Sequence, residues 1–167
     1  MTTSMMSEST WAIFGKLVAG LAAGVGVVAG AVNIYSFVDS RKENHPFKVD
    51  GKLHSSREGW FDTGLRMSLN KKYSLTAFPQ DTVLINKGAP IEISVDADGD
   101  KSRTYDCECK PFLCGQLVAR IGPTGKVIPI GKQHEFENAE GHLYLAVFDS
   151  NGDNNEGYFR GNILVSR

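Results

Sequence analysis

The stretch GHLYLAVFDSNGDNNEGYFRGNILVSR, residues 141–167, decides the fold. Leu143 to Phe148 is a short, nearly continuous apolar run, the composition of a core strand. Asp149-Ser150-Asn151-Gly152-Asp153-Asn154-Asn155-Glu156-Gly157 follows, a loop of turn-forming residues. Beyond it Phe159, Ile163 and Val165 alternate with Arg160, Asn162 and Leu164, with Gly161 on the inward register. That period of two belongs to a strand with one buried face.

Working outward, Ile91, Ile93 and Val95 alternate with Glu92 and Ser94 in the same way. Further strands are expected over Trp60–Met67, Thr82–Asn86, Gln116–Ile121 and Val127–Ile130. Gly122-Pro123-Thr124-Gly125 and Asp96-Ala97-Asp98-Gly99-Asp100 carry turn chemistry. About eight short strands with regular turn signals predict an antiparallel β-sandwich over residues 59–167.

The N-terminal part has a different character. Leu17 to Val38 is 22 residues long, holds no formally charged side chain and is rich in Gly, Ala and Val. As a helix it would extend ~33 Å, the thickness of a bilayer's hydrocarbon core. Trp11 and Tyr35 fall near its ends, where aromatic rings prefer the interface. A cleaved signal peptide is disfavoured, because the run is long and no Lys or Arg precedes Trp11. The expected organisation is a tail and single transmembrane α-helix over 1–38, a polar linker over 39–58, and the sandwich. Arg41, Lys42, Lys48, Lys52 and Arg57 after the helix, against Lys16 before it, select a cytoplasmic head.

Ala22, Gly26 and Gly30 recur every fourth residue, a small-residue stripe that lets helices approach closely in lipid. Self-association into a homo-oligomer is therefore expected. Lys16 and Asn33 would then face a central axis, as in a pore.

Catalytic signatures are missing: there is no Gly-x-Ser-x-Gly elbow, P-loop or dinucleotide fingerprint, so an enzyme is not expected. His45, His54, His134 and His142 lack close ligand spacing, and Cys107, Cys109 and Cys114 leave an odd thiol if two pair. A net charge of −1 announces no nucleic-acid binder. Lys71, Lys72, Lys101, Arg103 and Lys110 form a candidate set for a small anionic ligand or an oligonucleotide, if the fold gathers them. In the 149–157 loop, Asp149, Asn151, Asp153, Asn154 and Asn155 offer the oxygens a hard cation such as Ca²⁺ requires. An EF-hand is excluded, since Asn154 stands at its glycine position and Arg160 at its closing glutamate.

The run Cys109-Lys110-Pro111-Phe112-Leu113-Cys114-Gly115-Gln116-Leu117-Val118, then Ile121-Gly122, resembles the calcium-dependent galactose-binding lectins of the PA-IL type. The likeness continues through Gly141–Val147 and the pattern Asp149, Asn154-Asn155, Gly157, Phe159; Gly59–Gly64 is similar to the start of the same sandwich. The resemblance implies a jelly-roll-like fold, with Asp149, Asn154 and Asn155 as the calcium ligands and a carbohydrate as partner. The chain departs from the pattern at Ser102-Arg103-Thr104-Tyr105, where the family carries sugar-contacting His and Gln, and its loop after Asp149 is shorter.

A small-residue anchor with a β head also resembles, in architecture alone, the small membrane effectors of bacterial antiviral systems, the Hailong type among them. That likeness implies an oligomeric single-pass effector, a pore or ion channel controlled by a ligand on the head. The alternative is a membrane-tethered calcium-dependent lectin.

Overall fold

The computed structural model describes residues 43–57, 59–102 and 112–167. Ten strands follow in order: β1 Glu43–Asp50, β2 Phe61–Met67, β3 Lys72–Ala77, β4 Val83–Ile85, β5 Ile93–Val95, β6 Gln116–Ile121, β7 Ile128–Pro129, β8 Gln133–Phe136, β9 Gly141–Phe148 and β10 Glu156–Ser166. Every strand pair among the described residues is antiparallel.

One sheet contains six strands in the order β5-β4-β10-β3-β8, with β1 on the other side of β10; the second runs β2-β9-β6-β7. A single apolar cluster joins them, in which Leu75, Phe159 and Ile163 of the larger sheet meet Leu117, Leu143 and Leu145 of the smaller. That shared core makes the fold a β-sandwich. Removing one such fully buried side chain, as in Phe159→Ala, is worth about 3–5 kcal/mol.

β10 organises the larger sheet. Its first two residues pair with β4, its later ones with β3, and its opposite edge pairs with β1 from Tyr158 to Val165. Phe159, Gly161, Ile163 and Val165 are buried while Leu164 is partly exposed, the alternation expected from the sequence. Gly157 has φ +102°, and a Cβ there would lie 2.4 Å from the Thr82 carbonyl oxygen, so glycine is required where β10 crosses β4.

Residues 39–58, expected as a polar linker, contain β1, and the sandwich begins at Glu43 rather than 59. Only Phe47 and Val49 of β1 are buried, and Pro46 and Lys48 between them disguise the period. Proline and lysine suit this edge strand, where a missing N–H and an exposed cation discourage pairing with another chain. β3 and β8 were also absent from the sequence reading. The strand expected from Ile91 starts at Ile93, and Ile91 is 49 % exposed. Pro90 precedes it, and Glu92 Oε1 accepts the Gly88 N–H, holding this stretch as a loop.

No helix among the described residues is long and apolar enough to cross a membrane. The expected span Leu17–Val38, with Lys16, Ala22, Gly26, Gly30 and Asn33, lies outside the described residues.

Candidate functional site

The turn from Asp149 to Asn155 carries the chain out of β9 in the smaller sheet and into β10 in the larger one. Asp149 Oδ1 accepts the Asn151 N–H at 3.2 Å, and the Asp149 carbonyl accepts the Ser56 hydroxyl. Asn151 Oδ1 caps a short 3₁₀ turn, Gly152–Asn154, by accepting the Asp153 N–H. The Asn155 N–H closes that turn on the Gly152 carbonyl at 3.0 Å. These local bonds are what Asn and Asp do best in turns.

Two distant segments then fix the asparagine pair. Asn154 Nδ2 donates to Asn86 Oδ1 at 3.0 Å, and the Lys87 N–H donates to the Asn154 carbonyl at 2.7 Å. Asn155 Nδ2 donates to the Gly51 carbonyl at 3.2 Å. Asn86 itself adopts φ +60°, a left-handed conformation that asparagine tolerates better than most residues. With their amino groups committed, both amide oxygens, Asn154 Oδ1 and Asn155 Oδ1, are buried without a hydrogen-bond partner. A buried acceptor left in that state costs about 1–3 kcal/mol, so two in one turn need a physical reason.

Asp149 is 8 % exposed and Asn155 4 %, whereas Asn151 and Asp153 face solvent. Asp149, Asn155 and the amide oxygen of Asn154 are thus the buried members of the candidate set, while Asn151 caps the exposed 3₁₀ turn and Asp153 supplies the backbone N–H that it caps. Glu156 beside the pair is bound to Lys87 Nζ, and that contact holds the lysine pKa above its ordinary value. His54, whose Nδ1 accepts the Asp50 N–H, has its pKa lowered by burial, Asp50 pulling the other way. It therefore adds no full positive charge at neutral pH on the segment that supplies Gly51 and Ser56.

Among the described residues no group of three or more His, Cys, Asp and Glu could hold a metal. A cation here would instead rest on one carboxylate and two neutral amide oxygens. All three are hard donors of the kind Ca²⁺ takes, and the two unpartnered ones gain the interaction they lack. In type, the residues fit the ion.

The candidate cations for an anionic ligand are not gathered. Lys71 lies 3.9 Å from Glu43, Lys72 2.9 Å from Glu137, and Lys101 2.6 Å from Asp98. Lys72 starts β3, while Asp98 binds the Lys132 N–H and the Lys132 carbonyl accepts from Ala77, where β3 ends. Lys72 and Lys101 thus stand at opposite ends of a strand about 17 Å long. Arg103 and Lys110 lie outside the described residues. A shallow recess of ≈ 200 Å³ on the outer face of the larger sheet is lined by Lys72, Ser74, Glu135, Leu164 and Ser166. It is remote from the asparagine pair, and its one lysine is already matched by Glu137, so the turn is the better site.

Sequence reasoning missed Asn86 and Gly51, which orient the two asparagines from 68 and 104 residues away. It also missed Arg120, stacked 4.3 Å from the Trp60 ring centroid and 5.4 Å from that of Tyr144 on the smaller sheet. Cys114 is buried and disulfide-bonded.

No known family profile matches the chain, and no curated protein matches its sequence. Among solved structures, the chain is similar to the N-terminal domain of EclA, described as a PllA-like lectin. The two share 22 % identity at a TM-score of 0.50, over 73 % of this chain and 94 % of that one. The fold is lectin-like. The match agrees with the architecture expected from the sequence and, at this identity, speaks to fold alone.

Proposed function

We propose that this chain is a single-pass membrane protein whose β-sandwich head binds a carbohydrate through a hard cation held by Asp149, Asn154 and Asn155. The observation that carries the reading is the pair of buried, unpartnered amide oxygens of Asn154 and Asn155. The lectin-like fold supports it, as does the name of the solved neighbour, a lectin.

Bound Ca²⁺ would offer its open coordination positions to vicinal hydroxyls of a sugar. The chain's own part is pre-organisation. Asn86 and Gly51 take the asparagine amino groups, so the oxygens face inward before any ligand arrives. Ser56 holds the Asp149 backbone, and the capped 3₁₀ turn fixes the spacing between Asp149 and the pair. Fixing donors in advance lowers the ordering cost of binding.

A glycan array probed with the full chain in detergent, with and without chelator, tests this directly. Calcium-dependent glycan binding that disappears in Asp149→Ala with Asn154→Ala supports the proposal. Chelator-insensitive binding, or none in calcium, refutes it.

A second reading is favoured by the Ala22, Gly26, Gly30 stripe, which suits a helix that assembles with copies of itself. On that reading the chain is an oligomeric, pore-forming effector whose ligand-bound head biases helix packing. Depolarisation of cells on induction, blocked by Gly26→Leu or Gly30→Leu, supports it. Absence of conductance in reconstituted bilayers removes it.

A further inference from the structure

We infer that Trp60, Asp62, Arg120 and Tyr144 form a second ligand site, on the outer face of the smaller sheet, which takes a sugar ring bearing a carboxylate. The site is built without a cation, so it does not rest on the calcium reading of the Asp149–Asn155 turn.

The topology gathers these side chains. Tyr144 on β9 is paired with Asp62 on β2 to one side and with Arg120 on β6 to the other. At about 4.8 Å between strands, the row from Asp62 to Arg120 spans about 10 Å. Leu143, Leu145 and Ala119, which flank Tyr144 and Arg120 in sequence, enter the shared core, so the row lies on the opposite, outer face. Trp60, just before β2, brings its ring centroid to 4.3 Å from Arg120, and that of Tyr144 lies at 5.4 Å.

The state of Arg120 sets the cluster apart. No carboxylate among the described residues is within ion-pair distance of it, whereas Arg160 on the larger sheet is closed by Asp81 at 2.8 Å. Arg120 is half-buried between two aromatic rings, and its Nε is buried without a hydrogen-bond partner. A guanidinium partly stripped of water and left without an anion attracts a carboxylate more strongly than an exposed lysine does. Packing alone needs no charge here, since an apolar side chain would cover the same rings without an orphaned donor.

The other members narrow the ligand. One guanidinium suits one carboxylate, which it can hold bidentately. Asp62 Oδ1 accepts the Gly64 N–H at 2.8 Å, which fixes an acceptor-only group at the other end of the row. That group repels a phosphate chain but receives hydroxyls. The electron-rich faces of Trp60 and Tyr144 suit the C–H face of a sugar ring. A uronic- or sialic-type sugar carries carboxylate, hydroxyls and C–H face together. Trp60 is set beforehand: its Nε1 donates to the Ser56 carbonyl at 3.1 Å, and the Ser56 N–H donates to the Val147 carbonyl at 2.9 Å. Such pre-organisation lowers the ordering cost of binding.

The test titrates methyl glucuronide, methyl galacturonide and methyl sialoside into the full chain, in a zwitterionic detergent with chelator present. Trp11→Phe leaves Trp60 as the sole tryptophan, so its emission reports binding. A saturable change with one of these acids, absent with methyl glucoside and lost in Arg120→Met, supports the inference. Affinity should fall about tenfold in Arg120→Lys, which keeps the charge and loses the fork. Asp62→Asn, at an exposed position that leaves the fold intact, should weaken binding several-fold. No response to any of the acids, an equal response to methyl glucoside, a response to adenosine monophosphate alone, or binding unchanged in Arg120→Met overturns it. A cation site is silent in chelator, so these outcomes leave the calcium reading untouched, and on the glycan array the neutral glycans report on that reading.

Discussion

Two turns of this head gather side-chain oxygens and hold them in opposite states. In Asp96–Lys101 the carboxylates are spoken for. Asp96 meets Lys132 at 2.6 Å, and Asp98 meets Lys101 at 2.6 Å while accepting the Lys132 N–H at 2.9 Å. In Asp149–Asn155 no lysine side chain among the described residues forms an ion pair with Asp149, and two buried amide oxygens remain without partners. The difference teaches that clustered oxygen donors become a candidate site only when the fold withholds their partners. Both turns offer such donors, and the neighbours decide which of them stay unpaired.

The largest expected contrast is in the response to calcium. At about 100-fold over its Kd, an ion that binds only the folded state adds about 2.7 kcal/mol of stability. Denaturant unfolding should show that gain for the wild type and for Asp96→Ala with Asp98→Ala. It should vanish in Asp149→Ala with Asn155→Ala. A gain lost in the first pair and kept in the second would reverse the assignment.

Asp98→Ala sharpens the comparison from the other side. It strands the Lys132 N–H and removes the anchor of Lys101, at a cost of about 1–3 kcal/mol with no change in calcium affinity. Urea midpoints read the first effect and calorimetry the second.

Acid titration separates the turns again. Burial pushes the Asp98 pKa up, but its bonds to Lys101 and Lys132 outweigh this and hold it below the ordinary carboxylate range. A depressed folded pKa stabilises above the unfolded value and is lost as pH falls through the folded one. Asp81, bound by the Arg160 guanidinium, behaves the same way. Stability should therefore decline only below about pH 4 on account of these groups, and Asp98→Asn should flatten part of that slope. An undiminished slope in the variant would contradict the pairing.

The smallest effect is expected at Asn151. Losing its cap on the 3₁₀ turn should cost about 0.5–1 kcal/mol and leave calcium affinity nearly unchanged. A collapse of affinity in Asn151→Ala would return that residue to the ligand set.

How much of this was legible in the sequence follows from where each signal resides. β9 and β10 were readable because their apolar periods are intact. β1 was not, because an edge strand with Pro46 and Lys48 buries only two side chains. β3 does alternate, burying Tyr73, Leu75 and Ala77, yet the lysine, serine and threonine between them and the small Ala77 leave a weak apolar signal. β8 buries only Phe136 and offers no period at all. Asp149, Asn154 and Asn155 were named from the sequence, but Asn86 and Gly51 reach them from other strands and no local pattern encodes that approach. The scattered lysines show the converse: a set chosen by charge alone was dispersed by the topology.

The flanking charge predicts a cytoplasmic head, whereas the disulfide at Cys114 predicts an oxidising compartment. Protease protection of the head in intact spheroplasts separates the two.

The most direct measurement is a crystal of the protein grown in calcium, with the ion located by anomalous scattering. The account predicts one ion about 2.3–2.6 Å from Asn154 Oδ1 and Asn155 Oδ1, with Asp149 completing the protein ligands. An ion seated among Asp96, Asp98 and Asp100 instead, or no ion while both amide oxygens remain unpaired, would contradict it.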